Sequence, residues 1–256
     1  TSWCSLHRSR LERPFPGSGP RTFCSSRAMR ATALAFALVA LVSLVSSKDD
    51  GVLFLEKWDD DAWNLRWRHS DNSKYTGRFR VGKPNDWKNN GLRIPDPNKH
   101  YGISALVPEP IDPSDGLVIQ YEVRHSKTYT CGGSYIKLLT HEEGFTPEGL
   151  HDQTPYSIMF GPDKCGEEMR VHVIFRHWNP NKQKIEERQL VAKPLPVADN
   201  HTHVYTLRLT QPSTFEVLVD NKAVIKGDLL TESAFSPSFY QPQMIVDPEA
   251  KKPEDW

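Results

Sequence analysis

Val204-Tyr-Thr-Leu-Arg-Leu209, Gln211-Pro-Ser213, Phe215-Glu-Val-Leu-Val219 and Asp220-Asn-Lys222 decide the fold. The first segment alternates, as a strand with one buried face does. Gln211-Pro212-Ser213 turns the chain, Phe215–Val219 returns, and Asp220-Asn221-Lys222 turns it again. The same grammar recurs upstream. Leu117-Val-Ile-Gln-Tyr-Glu-Val123, Ser134-Tyr-Ile-Lys-Leu-Leu139 and Val171-His-Val-Ile-Phe175 are short apolar bursts divided by Gly, Pro, Asn and Asp. No stretch after Lys48 holds a 3.6-residue apolar period long enough for a helix. Many short strands with regular turn signals predict an all-β antiparallel sandwich.

Composition agrees with a globular, turn-rich chain. Of 256 residues, 38% are hydrophobic, 25% charged and 20 are proline. The 32 basic residues balance 32 acidic ones, so the basic footprint of a nucleic-acid binder is missing. The balance conceals two unlike parts. Residues 1–47 carry six Arg and one Glu, a charge of +5, and the rest carries −5. Met29-Arg30, the apolar run Ala31–Val45 and Ser46-Ser47-Lys48 predict a signal peptide over 29–47, cut after Ser47. The run is short for a membrane anchor, which is the rival reading. Residues 1–28 show neither apolar periodicity nor turn logic and read as a leader upstream of Met29, not as a folded part. A mitochondrial transit peptide is the alternative, opposed by the apolar run directly behind Met29. The globular domain is then 48–244. Residues 245–256, Ile-Val-Asp-Pro-Glu-Ala-Lys-Lys-Pro-Glu-Asp-Trp, are too proline-rich and charged for a core strand.

Cys4 and Cys24 fall in the leader, leaving Cys131 and Cys165, which in a secretory-pathway domain most simply form one disulfide. Two thiols without a CxxC pair do not make a zinc site. Asn200-His201-Thr202 is a glycosylation sequon, open equally to use and to an unmodified loop.

The densest candidate region is Cys131–Ile174. Tyr135 and Lys137 lie two apart on one predicted strand and so project from one face. Gly132 and Gly133 remove side chains just before it, as close approach of a ligand to backbone requires. A phenol ring offers an apolar surface to the C–H face of a sugar, and lysine offers three donors to hydroxyls. Tyr156, Met159 and Asp163 lie in the segment that a Cys131–Cys165 bridge would bring alongside. On spacing alone, an ordinary exposed strand face is the preferred reading. His201 and His203 have a spacing compatible with one metal but no third ligand nearby, and read as a solvated pair. Asp59-Asp60-Asp61 lacks the alternation of a calcium loop and reads as a solvated turn. Glu186-Glu187 could receive hydroxyl donors. No GxSxG, HExxH or phosphate loop occurs.

Four segments together carry a resemblance: Cys131-Gly-Gly-Ser-Tyr-Ile-Lys-Leu-Leu139, Tyr156-Ser-Ile-Met-Phe-Gly-Pro-Asp-Lys-Cys-Gly166, Val171-His-Val-Ile-Phe-Arg-His177 and Lys252-Pro-Glu-Asp-Trp256. They resemble the calnexin/calreticulin family of lectin chaperones of the endoplasmic reticulum, from about Gly51 to Trp256. Lys74-Tyr-Thr-Gly77, Asp163-Lys164 and Phe175-Arg-His-Trp-Asn-Pro180 look more like calnexin. The resemblance implies a legume-lectin-like (concanavalin-like) jelly-roll sandwich that binds monoglucosylated N-glycans on newly made glycoproteins, without covalent chemistry, in the lumen of the endoplasmic reticulum. It implies that Tyr135, Lys137, Tyr156 and Asp163 hold the terminal glucose, with Met159 in apolar contact, Gly133 and Ile174 close by, and Glu187 as an acidic sugar ligand. It maps the family disulfide onto Cys131 and Cys165.

The resemblance also implies a structural calcium around Lys88 and Asn89, with Lys57 standing where the family has a small polar residue. Lys252–Trp256 is similar to the first repeat of a proline-rich arm that recruits a disulfide-isomerase-family oxidoreductase. The rest of that arm, return strands with one further acidic sugar ligand and a calcium ligand, and any membrane span would follow Trp256. The competing functions are a jelly-roll glycoside hydrolase, which needs two carboxylates flanking a cleft, and a glycan-independent holdase for unfolded polypeptide.

Overall fold

The structure, a computed structural model, describes residues 51–83, 88–240, 249 and 251–252, and the backbone of 4–7. Strands β1 (Cys4–His7), β2 (Val52–Glu56), β3 (Trp67–His69), β4 (Arg80–Gly82), β5 (Gly91–Arg93) and β6 (Ile103–Ala105) come first, with a single helical turn, α1 (Trp63–Arg66), before β3. There follow β7 (Leu117–Arg124), β8 (Cys131–Gly133), β9 (Ile136–Leu139), β10 (Tyr156–Cys165), β11 (Glu168–Asn179) and β12 (Lys184–Leu190). The last four are β13 (Thr202–Thr210), β14 (Thr214–Val219), β15 (Lys222–Asp228) and β16 (Phe235–Ser236).

Two large antiparallel sheets make a sandwich. One runs β15-β14-β13-β7-β1-β2 and the other β16-β12-β11-β10-β8, with β9 also paired to β10. The alternation that predicted the sandwich is the alternation that fills it. Tyr205, Leu207 and Leu209 of β13 and Phe215, Val217 and Val219 of β14 point inward beside Leu117, Ile119 and Tyr121 of β7. They meet Ile158 and Phe160 of β10 and Val173 and Phe175 of β11 from the other sheet. Each fully buried aliphatic or aromatic side chain contributes about 1.5–3 kcal/mol, so this two-sided core dominates stability. Asp220 and Asn221 adopt φ of 51° and 62°, the left-handed pair of a two-residue hairpin, and Val219 pairs directly with Lys222.

Residues 1–28 have no strand pattern, yet Cys4–His7 form a strand. They pair antiparallel with β2 on one side and β7 on the other. The physical reason is local. Without a segment there, β2 and β7 would each present a row of unpaired backbone groups, and a four-residue extended segment satisfies them whatever its side chains. The predicted signal peptide, 29–47, lies outside the described residues, as do all but 249, 251 and 252 of the proline-rich 245–256.

A buried carboxylate anchors the crossing from β2 to β3. Glu56, 2% exposed, accepts hydrogen bonds from Lys57 N, Trp58 N, Arg66 Nε and Nη2, and Trp67 Nε1. Burial alone would raise its pKa, but the Arg66 guanidinium and the N–H donors outweigh it and hold the group charged. Asp59, Asp60 and Asp61 form the exposed turn expected of them, with Asp60 accepting from Ala62 N and Arg66.

Candidate functional site

The outward face of the β8–β12 sheet carries the candidate residues. Because facing partners in a ladder share a side, the register places Asp163 with Gly133 and Arg170, Met159 with Lys137 and Ile174, and Arg176 with Glu187. A register shift between Tyr156 and Ile158 turns Tyr156 to the same side, against Met159 and Ile174, and the Tyr135 ring meets His172, so the eight predicted sugar-contact residues lie along β11 on the sheet face opposite the core.

At one end stands Tyr135, 41% exposed. Its ring meets His172 edge-on, with centroids 6.1 Å apart, and His172 Nε2 lies 3.0 Å from Asp163 Oδ2. Tyr135 is not on a continuous strand with Lys137, as the spacing predicted. The ladder breaks between β8 and β9, where Ser134 N donates to Pro162 O and Ser134 O accepts from Tyr121 Oη at 2.7 Å. Gly161, with φ of 136°, sits opposite the break, where a Cβ would overlap the Tyr121 hydroxyl. The space that the missing side chain of Gly133 leaves is filled by the Tyr135 ring, so this glycine seats the tyrosine. The Cys131–Cys165 disulfide, across the β8–β10 pair, fixes this end.

At the other end Tyr156 Oη donates to Glu187 Oε1 at 2.8 Å. Lys137 Nζ lies 4.6 Å above the centre of the Tyr156 ring, and the Arg176 guanidinium 5.3 Å from it. Tyr156, Met159 and Ile174, with Leu139, form a small apolar cluster separate from the main core, which floors the face. Burial pushes the Tyr156 phenol above the ordinary tyrosine value, and its bond to the Glu187 carboxylate pushes it further, so it remains a donor. Burial raises Tyr135 likewise, aided by the Asp163 charge. Lys137 is lowered, chiefly by burial, with Glu187 opposing and Arg176 reinforcing the shift.

Glu186 and Glu187 separate cleanly. As neighbours on a strand they face opposite ways, and Glu186 binds Asn179 and Lys182 while Glu187 reaches the site. Behind Glu187, the buried Arg188 donates to the carbonyls of Pro237 and Ser238 and fixes β12 against the segment after β16. Sequence reasoning missed His172 and Arg176, although both sit two residues from Ile174 and so must share its face. It also missed Lys74 and Asp152, an ion pair at 2.8 Å whose charges reach Tyr135 and Lys137. Their separation of 78 residues leaves no local signal.

The other candidates stand apart. His203, 12% exposed, lies between Asp199 and Asp220, and His201 is largely exposed. Asn200 is exposed, with φ of 71° and its Oδ1 accepting from Lys127 N. Lys57, Lys88 and Asn89 offer a calcium ion no carboxylate: the two ammonium groups have no lone pair to give, which leaves the Asn89 amide oxygen and backbone carbonyls. Among the described residues no group of three His, Cys, Asp or Glu side chains could hold a metal, and no helix is long and apolar enough to cross a membrane.

Residues 54–256 match the calreticulin family. The chain is 39% identical to calnexin homolog 1 of Arabidopsis thaliana over 225 residues, 87% of this chain and 42% of the relative. It is 41% identical to calmegin of Bos taurus over 194 residues, 72% of this chain and 31% of the relative. It thus spans well under half the length of these curated relatives. Among solved structures, the T. cruzi calreticulin globular domain superposes with a TM-score of 0.63 at 31% identity, covering 79% of this chain and 73% of that one. That likeness agrees with the jelly-roll sandwich expected from the four motif segments. The chain belongs to the calreticulin family.

Proposed function

We propose that this chain is a lectin domain of an endoplasmic-reticulum chaperone that holds monoglucosylated high-mannose N-glycans on newly made glycoproteins. The observation that carries the proposal is the gathering of Tyr135, Lys137, Tyr156, Met159, Asp163, Ile174 and Glu187 on one face of one sheet. That face combines what a hexose needs. The Tyr135 ring and the Met159–Ile174 floor accept its apolar side. Lys137 donates to hydroxyls, while Glu187 and the Tyr156 hydroxyl, whose one proton goes to Glu187, accept from them. The work is reversible binding, and glycoprotein clients are its partners. An oxidoreductase would be met through the arm that begins near Lys252. A structural calcium, which the family resemblance implies, would draw on backbone carbonyls and the Asn89 amide oxygen, because the Lys57 and Lys88 ammonium groups have no lone pair to give.

A glycoside hydrolase is the weaker reading. Asp163 and Glu187 face Arg170 and Arg176 of β11 from opposite sides, which separates them by about 22 Å on strand geometry, against roughly 5–9.5 Å for an acid/base pair. Asp152 is held ionised by Lys74, with its pKa lowered, the wrong direction for a general acid. The test is retention on an array of glucosylated oligomannose. Tyr135→Ala and Lys137→Ala should each abolish retention while keeping a wild-type melting profile, and unchanged retention in both would remove the site assignment.

A further inference from the structure

The face described above does not end at Glu187. In the β11–β12 ladder the next facing pair beyond Arg176–Glu187 is Trp178–Ile185. Its side chains lie on the same side of the sheet, displaced by about 6.6 Å along the strands. Both are conspicuously open: Trp178 is 52% exposed and Ile185 55%. A cross-strand aromatic–aliphatic pair stabilises a sheet when it is covered, yet here the pair faces outward, continuous with the candidate sugar site. The Arg176 guanidinium and the Glu187 carboxylate border it on the side toward Tyr156.

We infer that Trp178 and Ile185 form an additional sugar subsite, taking the apolar C–H face of a further hexose of the same oligosaccharide at the end of the face remote from Tyr135. This rests on the glycan-binding reading above. Three features select a sugar over a polypeptide. The pair exposes on the order of 200 Å² of apolar surface, one ring's worth, whereas apolar patches that dock proteins run to several hundred. Its neighbours Arg176 and Glu187 supply a donor and an acceptor beside the indole plane, matching a ring that is apolar on its face and hydroxylated at its rim. The row from His172 to Trp178 is also about 20 Å long, room for several sugar rings in line.

The full 256-residue chain should be titrated calorimetrically with a glucosyl-mannose disaccharide and a glucosyl-trimannose tetrasaccharide. Against the tetrasaccharide, Trp178→Ala should bind about tenfold more weakly. Its loss on the disaccharide should be at most about twofold, because only the longer sugar reaches the pair. Trp178→Phe, which keeps an aromatic face, should recover most of the loss, whereas Tyr135→Ala should lose both ligands. If wild type binds the tetrasaccharide and Trp178→Ala binds it equally well, the subsite is wrong and the main site stands. If wild type binds neither sugar, the glycan reading fails and the subsite with it. If Trp178→Ala keeps full sugar affinity but loses binding to an unglycosylated, reduced and carboxymethylated protein, the pair serves polypeptide and the sugar assignment is overturned.

Discussion

Replacing Tyr156 by Phe separates binding from folding at the centre of the site. Tyr156 is 7% exposed and packs with Met159 and Ile174, so its ring is structural, while its hydroxyl donates to Glu187 at 2.8 Å. Phe keeps the ring, its apolar contacts and the surface beneath Lys137, and leaves no polar atom stranded. The Glu187 side chain is 57% exposed, so water replaces the lost donor. The stability cost should therefore stay below about 1 kcal/mol, a fall in Tm of no more than about 4 °C for a domain of this size. Binding should respond far more. The substitution removes an acceptor oxygen from the site and releases the carboxylate that it orients, and a hydrogen bond involving a charged group is worth about 1.5–3 kcal/mol. That corresponds to roughly a 10- to 150-fold loss of affinity. Tyr156→Ala is the contrasting variant: it empties the apolar floor and should cost about 3–5 kcal/mol of stability. The assay pairs thermal denaturation followed by circular dichroism with calorimetric titration of a glucosylated tetrasaccharide. Wild-type affinity in Tyr156→Phe, or a fall in Tm well beyond 4 °C, would refute this division of roles between ring and hydroxyl.

Three other outcomes follow from the same geometry. Cys165→Ser opens the 34-residue separation closed by the disulfide, and chemical denaturation should register a loss of about 3–4 kcal/mol; no change would mean that the Cys131 end is held by its strand pairing alone. Gly161→Ala forces a Cβ into the Tyr121 hydroxyl at φ of 136°, with backbone strain of about 1–3 kcal/mol before that overlap is counted, so a variant as stable as wild type would contradict the packing of Tyr121 beneath the strand break. His203 is raised above the ordinary histidine value: burial alone would lower it, but hydrogen bonds to Asp220 and Asp199 prevail. Its contribution to stability is complete below the unfolded value of 6.5 and is lost as pH rises through the higher folded value. The Tm gap between wild type and His203→Gln should narrow from about pH 6 to pH 9, and a gap that widens would refute the pairing.

How much of this was legible in sequence depended on whether the governing contact was local. The β13–β14–β15 meander was readable because its alternation and its Asp220-Asn221 turn are both short-range signals, and the core adopts the same alternation. The order of motifs from Cys131 to His177 made the site residues recognisable. For Lys137, Met159, Asp163 and Ile174 the shared face then followed from strand parity, and the same parity, applied outward from Ile174, reaches His172, Arg176 and Trp178. Tyr156, three residues before Met159, joins them only through the register shift between Tyr156 and Ile158, which parity does not show. The break at Tyr135 was not legible, because it depends on Tyr121 and Gly161 meeting Ser134 from other strands. Neither was the role of Gly133, whose neighbour is the ring of Tyr135 folded back over it. Cys4–His7 gave no signal, since a strand filling a gap is held by backbone pairing that any extended segment can supply. Lys74 and Asp152 come together only when the chain before β4 reaches the turn before β10.

The central claim is that the face bearing Tyr135, Lys137, Tyr156 and Glu187 recognises a terminal glucose on an oligomannose chain. Its most direct test is calorimetric titration of the wild-type chain with two ligands alike but for that residue, a monoglucosylated oligomannose and its unglucosylated counterpart. Saturable binding of the glucosylated sugar is expected, with the other bound at least about 100-fold more weakly, the loss of several hydrogen bonds at once. Equal binding of the two, or heat from neither, would contradict it.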